Sequence, residues 1–376
     1  MKRVLLLSTV HPPTDPRIVY KIAPLLASNY QVTCVLPDLV KSNHTLFDTI
    51  RIPFFNRLVW RMLLGHPVVL WKCLRLRPDI VHIFVPELIP IAVLFHWLGA
   101  QIVYEVQENL YKKFSIKTFN NAKVFKLLFA YFDQLARRKF HLVFTEDAYL
   151  HEYDNLKNAS CIIRNFPSIQ QANFHQRSQK PDLSKPEFLY IGVISMERCI
   201  DVLILACSKL KVHFPDFIVH LFGPLRLNQK TLETLPGYNL VRDNLIFHGY
   251  TNQQVAFTFA SRCIAGIALL KPAADYPDSY TTKLFEYMAL RLPVITSDFP
   301  LYRSVVEPSQ CGFCISPYDD QELFEKMKML VENSALNVSM GNLGRKSVEN
   351  FYNWDQEAQN LLSFYVNILS ANKSIG

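Results

Sequence analysis

The chain has 376 residues, about twice what one hydrophobic core organises, so two domains of similar size are expected. Half of it is apolar and 19% is charged, which excludes a largely disordered protein. The net charge of +8 is concentrated in residues 51–140, where 14 Lys and Arg stand against 5 Asp and Glu, so the basicity belongs to one stretch of the chain.

From the N-terminus, Met1-Lys2-Arg3 and the apolar run from Val4 imitate a secretory signal, but the run breaks at His11-Pro12-Pro13 and no small-residue cleavage site follows. Val4–Ser8, Gln31–Leu36, Ile80–Phe84, Gln101–Glu105 and Leu142–Thr145 read as buried strands, with helical patterns such as Arg17–Ser28 and Ala122–Lys139 between them. Arg17, just inside a helix start, opposes the helix dipole unless an anion is near; a surface Arg would look the same. His82, inside an apolar strand, reads as a core histidine. Leu88 to Tyr104 lacks charged side chains over 17 residues, but Pro90, His96 and Gln101 interrupt it, and a helix followed by a buried strand fits better than a membrane span.

Within the basic stretch, Arg57, Arg61, Lys72, Arg75 and Arg77 are interleaved with Phe54, Phe55, Trp60 and Trp71, and further on stand Phe114, Phe125 and Tyr131. Taken alone, this suits an anionic membrane surface, a nucleic acid, or solvated helix faces around a core. Residues 166–185 are rich in Pro, Ser and Gln and read as a linker. The second half repeats the strand–helix plan with Phe188–Gly192, Val219–Phe222, Leu245–Phe247, Ala265–Leu269 and Val294–Thr296. Continuous apolar strands separated by helices predict parallel sheets covered on both faces, with ligands at the carboxyl ends of the strands.

The 11 glycines include no GxG pair, and neither a GxxxxGK loop, a GxSxG elbow nor an Asp-x-Asp pair occurs. Dehydrogenase, P-loop kinase and α/β-hydrolase readings lose ground accordingly. The eight cysteines are scattered, and the one close pair, Cys311 and Cys314, is weak evidence for zinc; reduced core thiols of a cytoplasmic protein are expected. The most informative segment begins at Asp278. Thr281 or Thr282 can cap a helix that starts at Lys283 and ends before Pro293. The free amides at its start, with Lys283 beside them, suit a diphosphate. Glu286 is the only charge between Lys283 and Arg291, which favours a ligand-facing carboxylate over a group that merely complements the dipole.

Thr282-Lys283-Leu284-Phe285-Glu286-Tyr287-Met288-Ala289, followed by Pro293-Val294-Ile295, resembles family 4 glycosyltransferases of the GT-B fold. Glu286 matches the second Glu of that family's Glu-x7-Glu pattern, and Asp278 stands at the first. His11-Pro12-Pro13-Thr14-Asp15-Pro16-Arg17, Val85-Pro86-Glu87-Leu88 and Tyr104 to Asn109 resemble its first cleft loops. Arg164-Asn165-Phe166-Pro167 is similar to its domain exit, Gly192 to Arg198 to its phosphate-binding turn, and Phe351-Tyr352-Asn353-Trp354 to the start of its crossing helix.

The resemblance implies two Rossmann-like doubly wound domains facing across a cleft. Residues 1–168 would bind the acceptor, 169–184 link, 185–352 bind the nucleotide-sugar, and 353–376 form a helix returning to the first domain. It implies a retaining, metal-independent transfer of a sugar from a nucleotide-diphosphate-sugar to a lipid-linked or saccharide hydroxyl, in cell-surface polysaccharide or glycolipid synthesis. The nucleotide-sugar is then substrate rather than cofactor; the basic stretch 51–140 with Trp60 and Trp71 suggests docking on the anionic inner face of the plasma membrane, and no nucleic-acid partner is expected. Gly192, Arg198, Gly223, Tyr250, Thr282, Lys283, Leu284 and Glu286 would bind the donor; Arg198, Lys283 and Asp278 would act in catalysis. Arg17, Glu87, Gln107 and Glu108 fall on the acceptor side, where Glu87 and Glu108 could equally cap loops. Family members commonly carry His at Gln107, Arg at Val193 and Gly at Cys199. These departures keep open a catalytically inactive scaffold, and a GT-B nucleotide-sugar epimerase is a third reading.

Overall fold

A computed structural model describes residues 1–39, 45–108, 122–154, 156–173 and 183–371. Phe114, and with it Lys112, Lys113 and Lys117 of the basic stretch, lies outside the described residues, as does Asn109. The chain divides into two compact units, Met1–Asn165 with Trp354–Gly376, and Phe166–Asn353.

The first unit is built on seven parallel strands: β1 (Arg3–Leu7), β2 (Gln31–Pro37), β3 (Asp48–Ile52), β4 (Ile80–Ile83), β5 (Gln101–Val106), β6 (His141–Phe144) and β7 (Ser160–Ile162). Their order is β3-β2-β1-β4-β5-β6-β7. The interior strands are apolar almost throughout because both of their faces are covered. On one face Val69, Cys73, Ile89, Phe95 and Ala136 form a core. On the other Ile18, Ile22 and Leu26 pack with Leu361, Phe364 and Tyr365 of the last helix, Trp354–Ala371.

His82 lies fully buried in β4, stacked on Phe84 at 4.4 Å with Nδ1 2.7 Å from the Tyr365 hydroxyl. Burial lowers its pKa to about 4, so the ring is neutral, as a core histidine should be. The uncharged stretch from Leu88 resolves into the helix Ile89–Trp97, a turn at Gly99 with φ +95°, and β5. Among the described residues no helix is long and apolar enough to cross a membrane.

The second unit holds β8 (Glu187–Ile191), β9 (Ile218–Phe222), β10 (Leu245–Gly249), β11 (Cys263–Ala268), β12 (Val294–Ser297) and β13 (Gly312–Ile315), all parallel, in the order β10-β9-β8-β11-β12-β13. In each unit the strand order reverses once, between β1 and β4 and between β8 and β11. That reversal opens a crevice at the carboxyl ends of the strands. All eight cysteines are free thiols, six buried and two half-buried. The strands missed by sequence patterning are β3, β7 and β13, each at a sheet edge.

β11 carries Gly266 at its centre, where a Cβ would lie 2.2 Å from the Tyr287 ring. The ring packs flat on the strand, and its hydroxyl accepts from the Ile191 amide at 2.8 Å, which ties the helix after β11 to the end of β8. Gly266→Ala is expected to destabilise the chain by about 1–3 kcal/mol through overpacking. Gly65→Ala, where a Cβ would meet only Phe55 at 3.9 Å, should be neutral or stabilise by up to about 1 kcal/mol. Urea unfolding of both variants checks the pair.

Candidate functional site

A cavity of about 320 Å³ opens at the strand-order reversal of the C-terminal unit, near the lower end of the size range for small-molecule sites. Ile191 and Gly192 at the end of β8, Leu270 after β11, and the start of the helix Thr282–Ala289 form its floor. Leu270 is fixed by Ser297, whose hydroxyl donates to its carbonyl and accepts from its amide, each at 2.7 Å. Thr281 holds the cap position of the helix, yet its hydroxyl accepts no hydrogen bond from the helix amides. The first N–H groups of the helix therefore face the cavity without a side-chain cap.

Lys283 is the most constrained group in the site. It is 3% exposed, and its Nζ is buried without a hydrogen-bond partner, 4.2 Å from the centre of the Tyr190 ring. Burial holds its pKa well below the usual lysine range, and the Arg198 guanidinium pushes the same way, against weaker support from Cys199 and Glu286. Gly192 explains how the two cations share the site. Its φ is +137°, and a Cβ there would lie 3.1 Å from Arg198 Nη1 and 3.6 Å from Lys283 Nζ. The space in front of this glycine is thus bounded by two cations and a helix N-terminus. Such a site takes a multiply charged anion. One turn along the helix, Glu286 lines the cavity and accepts from Gln253 Nε2 at 2.6 Å.

Of the residues singled out in the sequence, Gly192, Arg198, Thr282, Lys283 and Glu286 come together around this cavity. Gly223 is one step removed. Its φ is +138°, and a Cβ would lie 2.0 Å from the Gly192 carbonyl oxygen, so only glycine lets the β9 turn approach the β8 turn. Leu284 points into the core, and its amide donates to the Thr281 carbonyl. Tyr250 is exposed and does not line the cavity. Asp278 is exposed as well, at the end of the single 3-10 turn Tyr276–Asp278, while its neighbours Tyr276 and Ser279 face the cavity. Patterning missed these two, with Tyr280, Gln253 and Tyr302. Tyr302 is fully buried, its hydroxyl 3.3 and 3.1 Å from the carbonyls of Tyr276 and Ser279, so it anchors that wall.

The acceptor-side candidates lie in the N-terminal unit. Arg17 is buried there; its Nε and Nη2 donate to Glu105 at 2.8 and 3.0 Å, and Nη2 also donates to the Ile163 carbonyl. The anion that its place at a helix start calls for is Glu105, unremarked in the sequence because it sits inside an apolar strand. Burial alone would raise the Glu105 pKa, but the Arg17 charge and hydrogen bonds, with Gln107, bring it below the usual carboxylate value. Gln107 Nε2 donates to Glu105 at 2.6 Å. Glu87 accepts from Thr9 and from Arg61, at 2.8 and 2.7 Å. Glu108 is exposed and has polar contacts of its own.

Residues 170–347 match the family described as glycosyl transferases group 1. The spore coat protein SA of Bacillus subtilis (strain 168) is 24% identical over 207 residues, which spans 52% of this chain and about half the length, 52%, of that relative. The sucrose-phosphate synthase of Thermosynechococcus elongatus superposes with a TM-score of 0.76 at 16% identity, over 99% of this chain and 100% of that one. Alr3699/HepE of Anabaena, solved in complex with UDP and glucose, gives 0.71 at 13% identity over 98% and 100%. At such identities the likeness is one of fold. The family match thus covers the C-terminal unit, residues 170–347, where the β8–β11 reversal gathers its residues, and the two parallel sheets together give the chain a GT-B fold.

Proposed function

We propose that the chain transfers a sugar from a nucleotide-diphosphate-sugar to a hydroxyl acceptor, with retention at the anomeric carbon and without a metal ion. The observation that carries the reading is the buried Lys283 amine, without a hydrogen-bond partner and facing Arg198 across the missing side chain of Gly192. In this reading a diphosphate occupies that space and Glu286 accepts hydrogen bonds from the ribose. Tyr276, Ser279 and Tyr280 line the sugar's side of the cavity. The bond between the anomeric carbon and the phosphate oxygen breaks first, and negative charge grows on the leaving diphosphate. Lys283, Arg198 and the helix amides stabilise it there. The acceptor oxygen attacks the same face, and its proton passes to the departing phosphate. The acceptor is a lipid-linked or saccharide hydroxyl of cell-surface polysaccharide or glycolipid synthesis, met at the cytoplasmic face of an anionic membrane.

Glu286→Gln keeps the shape but weakens charge-assisted hydrogen bonds worth about 1.5–3 kcal/mol each, so nucleotide affinity should fall roughly tenfold or more. Lys283→Ala should weaken a nucleoside diphosphate far more than the nucleoside. Calorimetric titration beside melting curves reads both. A scaffold without donor chemistry predicts no nucleotide binding at all, and unchanged affinity in Glu286→Gln would remove the carboxylate from the site.

The lowered Lys283 pKa gives a signed pH dependence. Above that pKa the free site holds a neutral amine, and an arriving diphosphate favours the ammonium. Binding should take up a proton and weaken as pH rises through the pKa of the free site. Titrations in buffers of different ionisation enthalpy measure the uptake, which Lys283→Met should abolish.

Two cations and a helix N-terminus also replace the role of a divalent ion on the diphosphate. Turnover is expected to survive excess chelator; its loss, with recovery on adding magnesium or manganese, would overturn metal independence.

A further inference from the structure

One helical run of the N-terminal unit carries apolar side chains on both of its sides. It comprises Leu58–Trp60, Arg61–Gly65, His66–Cys73 and Leu74–Leu76, end to end. Val69 and Cys73 enter the core, as the inner face of an amphipathic helix should. Trp60, Leu63, Leu64, Trp71 and Leu74 are nevertheless exposed along it, Trp71 to 74%.

The helices Ile89–Trp97 and Ala122–Lys139 cover the same side of the sheet, since Ile89, Phe95 and Ala136 belong to that same core. They repeat the pattern, with Trp97 and Leu127 each 71% exposed, and Leu98 beside the first and Tyr131 one turn after the second exposed as well. Three of the four tryptophans thus stand in solvent on one side of one unit, and only Trp354 is buried. Single exposed apolar residues are ordinary, but a patch built from three neighbouring helices marks an interaction surface.

Charge identifies its occupant. Between residues 53 and 98 the only acids are Asp79 and Glu87, held by Lys2 and by Arg61. Asp133, on the third helix, is buried against Arg137. Arg61 is therefore not a free cation, and Lys72 donates to the Arg51 carbonyl. Arg57, Arg75 and Arg77, at the two ends of the first helical run, are exposed, as are Arg138 and Lys139 at the end of the third helix. A first helical run with exposed arginines and no exposed carboxylate between residues 53 and 98 repels a second copy of itself, and the apolar centre does not suit nucleic acid. Exposed tryptophans among arginines fit the boundary between headgroups and acyl chains of an anionic bilayer.

We infer that this side of the N-terminal unit is a lipid-docking face, on which Trp71, Trp97 and Leu127 enter the headgroup boundary while Arg57, Arg75 and Arg77 meet lipid phosphates. It deepens the membrane partner proposed above and rests on that part of the reading, not on the donor cavity.

The full chain should sediment with mixed phosphatidylglycerol–phosphatidylcholine vesicles and stay in solution with phosphatidylcholine alone. Tryptophan emission should shift to the blue on binding, and salt should weaken binding without abolishing it, because the apolar contribution is not screened. Trp71→Ser with Trp97→Ser should lower the partition coefficient at least about tenfold while melting temperature and nucleoside-diphosphate affinity stay put. Arg75→Gln with Arg77→Gln should erase the preference for anionic lipid. Equal recovery with both vesicle types, or wild-type partitioning of the tryptophan variant, overturns the proposal. So does a dimer in light scattering that the tryptophan substitutions dissolve, which would mark the patch as a contact between copies. A wild-type chain that binds vesicles but no nucleotide would count against the donor reading alone.

Discussion

A buried lysine amine that makes no hydrogen bond is the constraint around which the C-terminal unit is arranged. Burying a charge without a partner is costly, and proteins ordinarily pair it or neutralise it. Here Lys283 is held against the Tyr190 ring, with Glu286 one turn along the same helix. The neighbouring features follow from that placement. Gly192 must lack a side chain for the space in front of the two cations to stay open, and Gly223 must lack one for the β9 turn to close on Gly192. Tyr287, lying flat on Gly266 and bonded to the Ile191 amide, fixes the helix that carries Lys283 to the strand that carries Gly192. A rearrangement at any of these points moves a cation relative to the helix N-terminus.

The N-terminal unit reverses its strand order in the same way but handles charge differently. At its reversal, between β1 and β4, Thr9 donates to Glu87, and Glu87 takes the Arg61 guanidinium. Deeper in, Arg17, Glu105 and Gln107 satisfy one another almost completely; only Arg17 Nη1 is left over. A buried pair of this kind adds little net stability compared with an apolar isostere, but it fixes orientation, because removing either member strands the other. The two halves therefore share a topology and differ in electrostatics. One keeps its cations open to an anion, while the other spends them on its own carboxylates.

How much of this the sequence disclosed depended on what each element buries. Interior strands such as β1, β4 and β11 are covered on both faces and read as unbroken apolar runs. The missed strands, β3, β7 and β13, are edges: Asp48–Ile52 and Ser160–Ile162 are half-buried, with polar residues mixed in, and carry no such signal. Lys283 and Glu286 were legible because a charge on an otherwise apolar helix has few structural explanations. Tyr276, Ser279, Gln253 and Tyr302 were not: Tyr276 and Ser279 sit in and after a single 3-10 turn, and Gln253 and Tyr302 on short helices whose apolar spacing does not mark the residues that face the cavity. Asp278 shows the same limit from the other side. The family resemblance places it at the first position of the pattern that Glu286 completes, and the single 3-10 turn at which it ends leaves its side chain exposed while its neighbours face inward.

Apolar helices pose the converse difficulty, because composition reports how much apolar surface an element has and not where it goes. Ile89–Trp97 is apolar nearly all round, which raised the question of a membrane span. The fold answers it by burying Ile89, Ile91, Ala92 and Phe95 against β-strands and leaving Leu94, Trp97 and Leu98 outside. The same division recurs in the helices on either side of it. A single flexible helix with such a stripe would lose conformational entropy on docking to any surface, which reduces the net gain from its apolar contacts. Seated on a seven-stranded sheet, the three helices hold their outer side chains in fixed positions before any contact is made. The rigidity that gives the cavity its geometry in one unit therefore also determines, in the other, which tryptophans stand in solvent together.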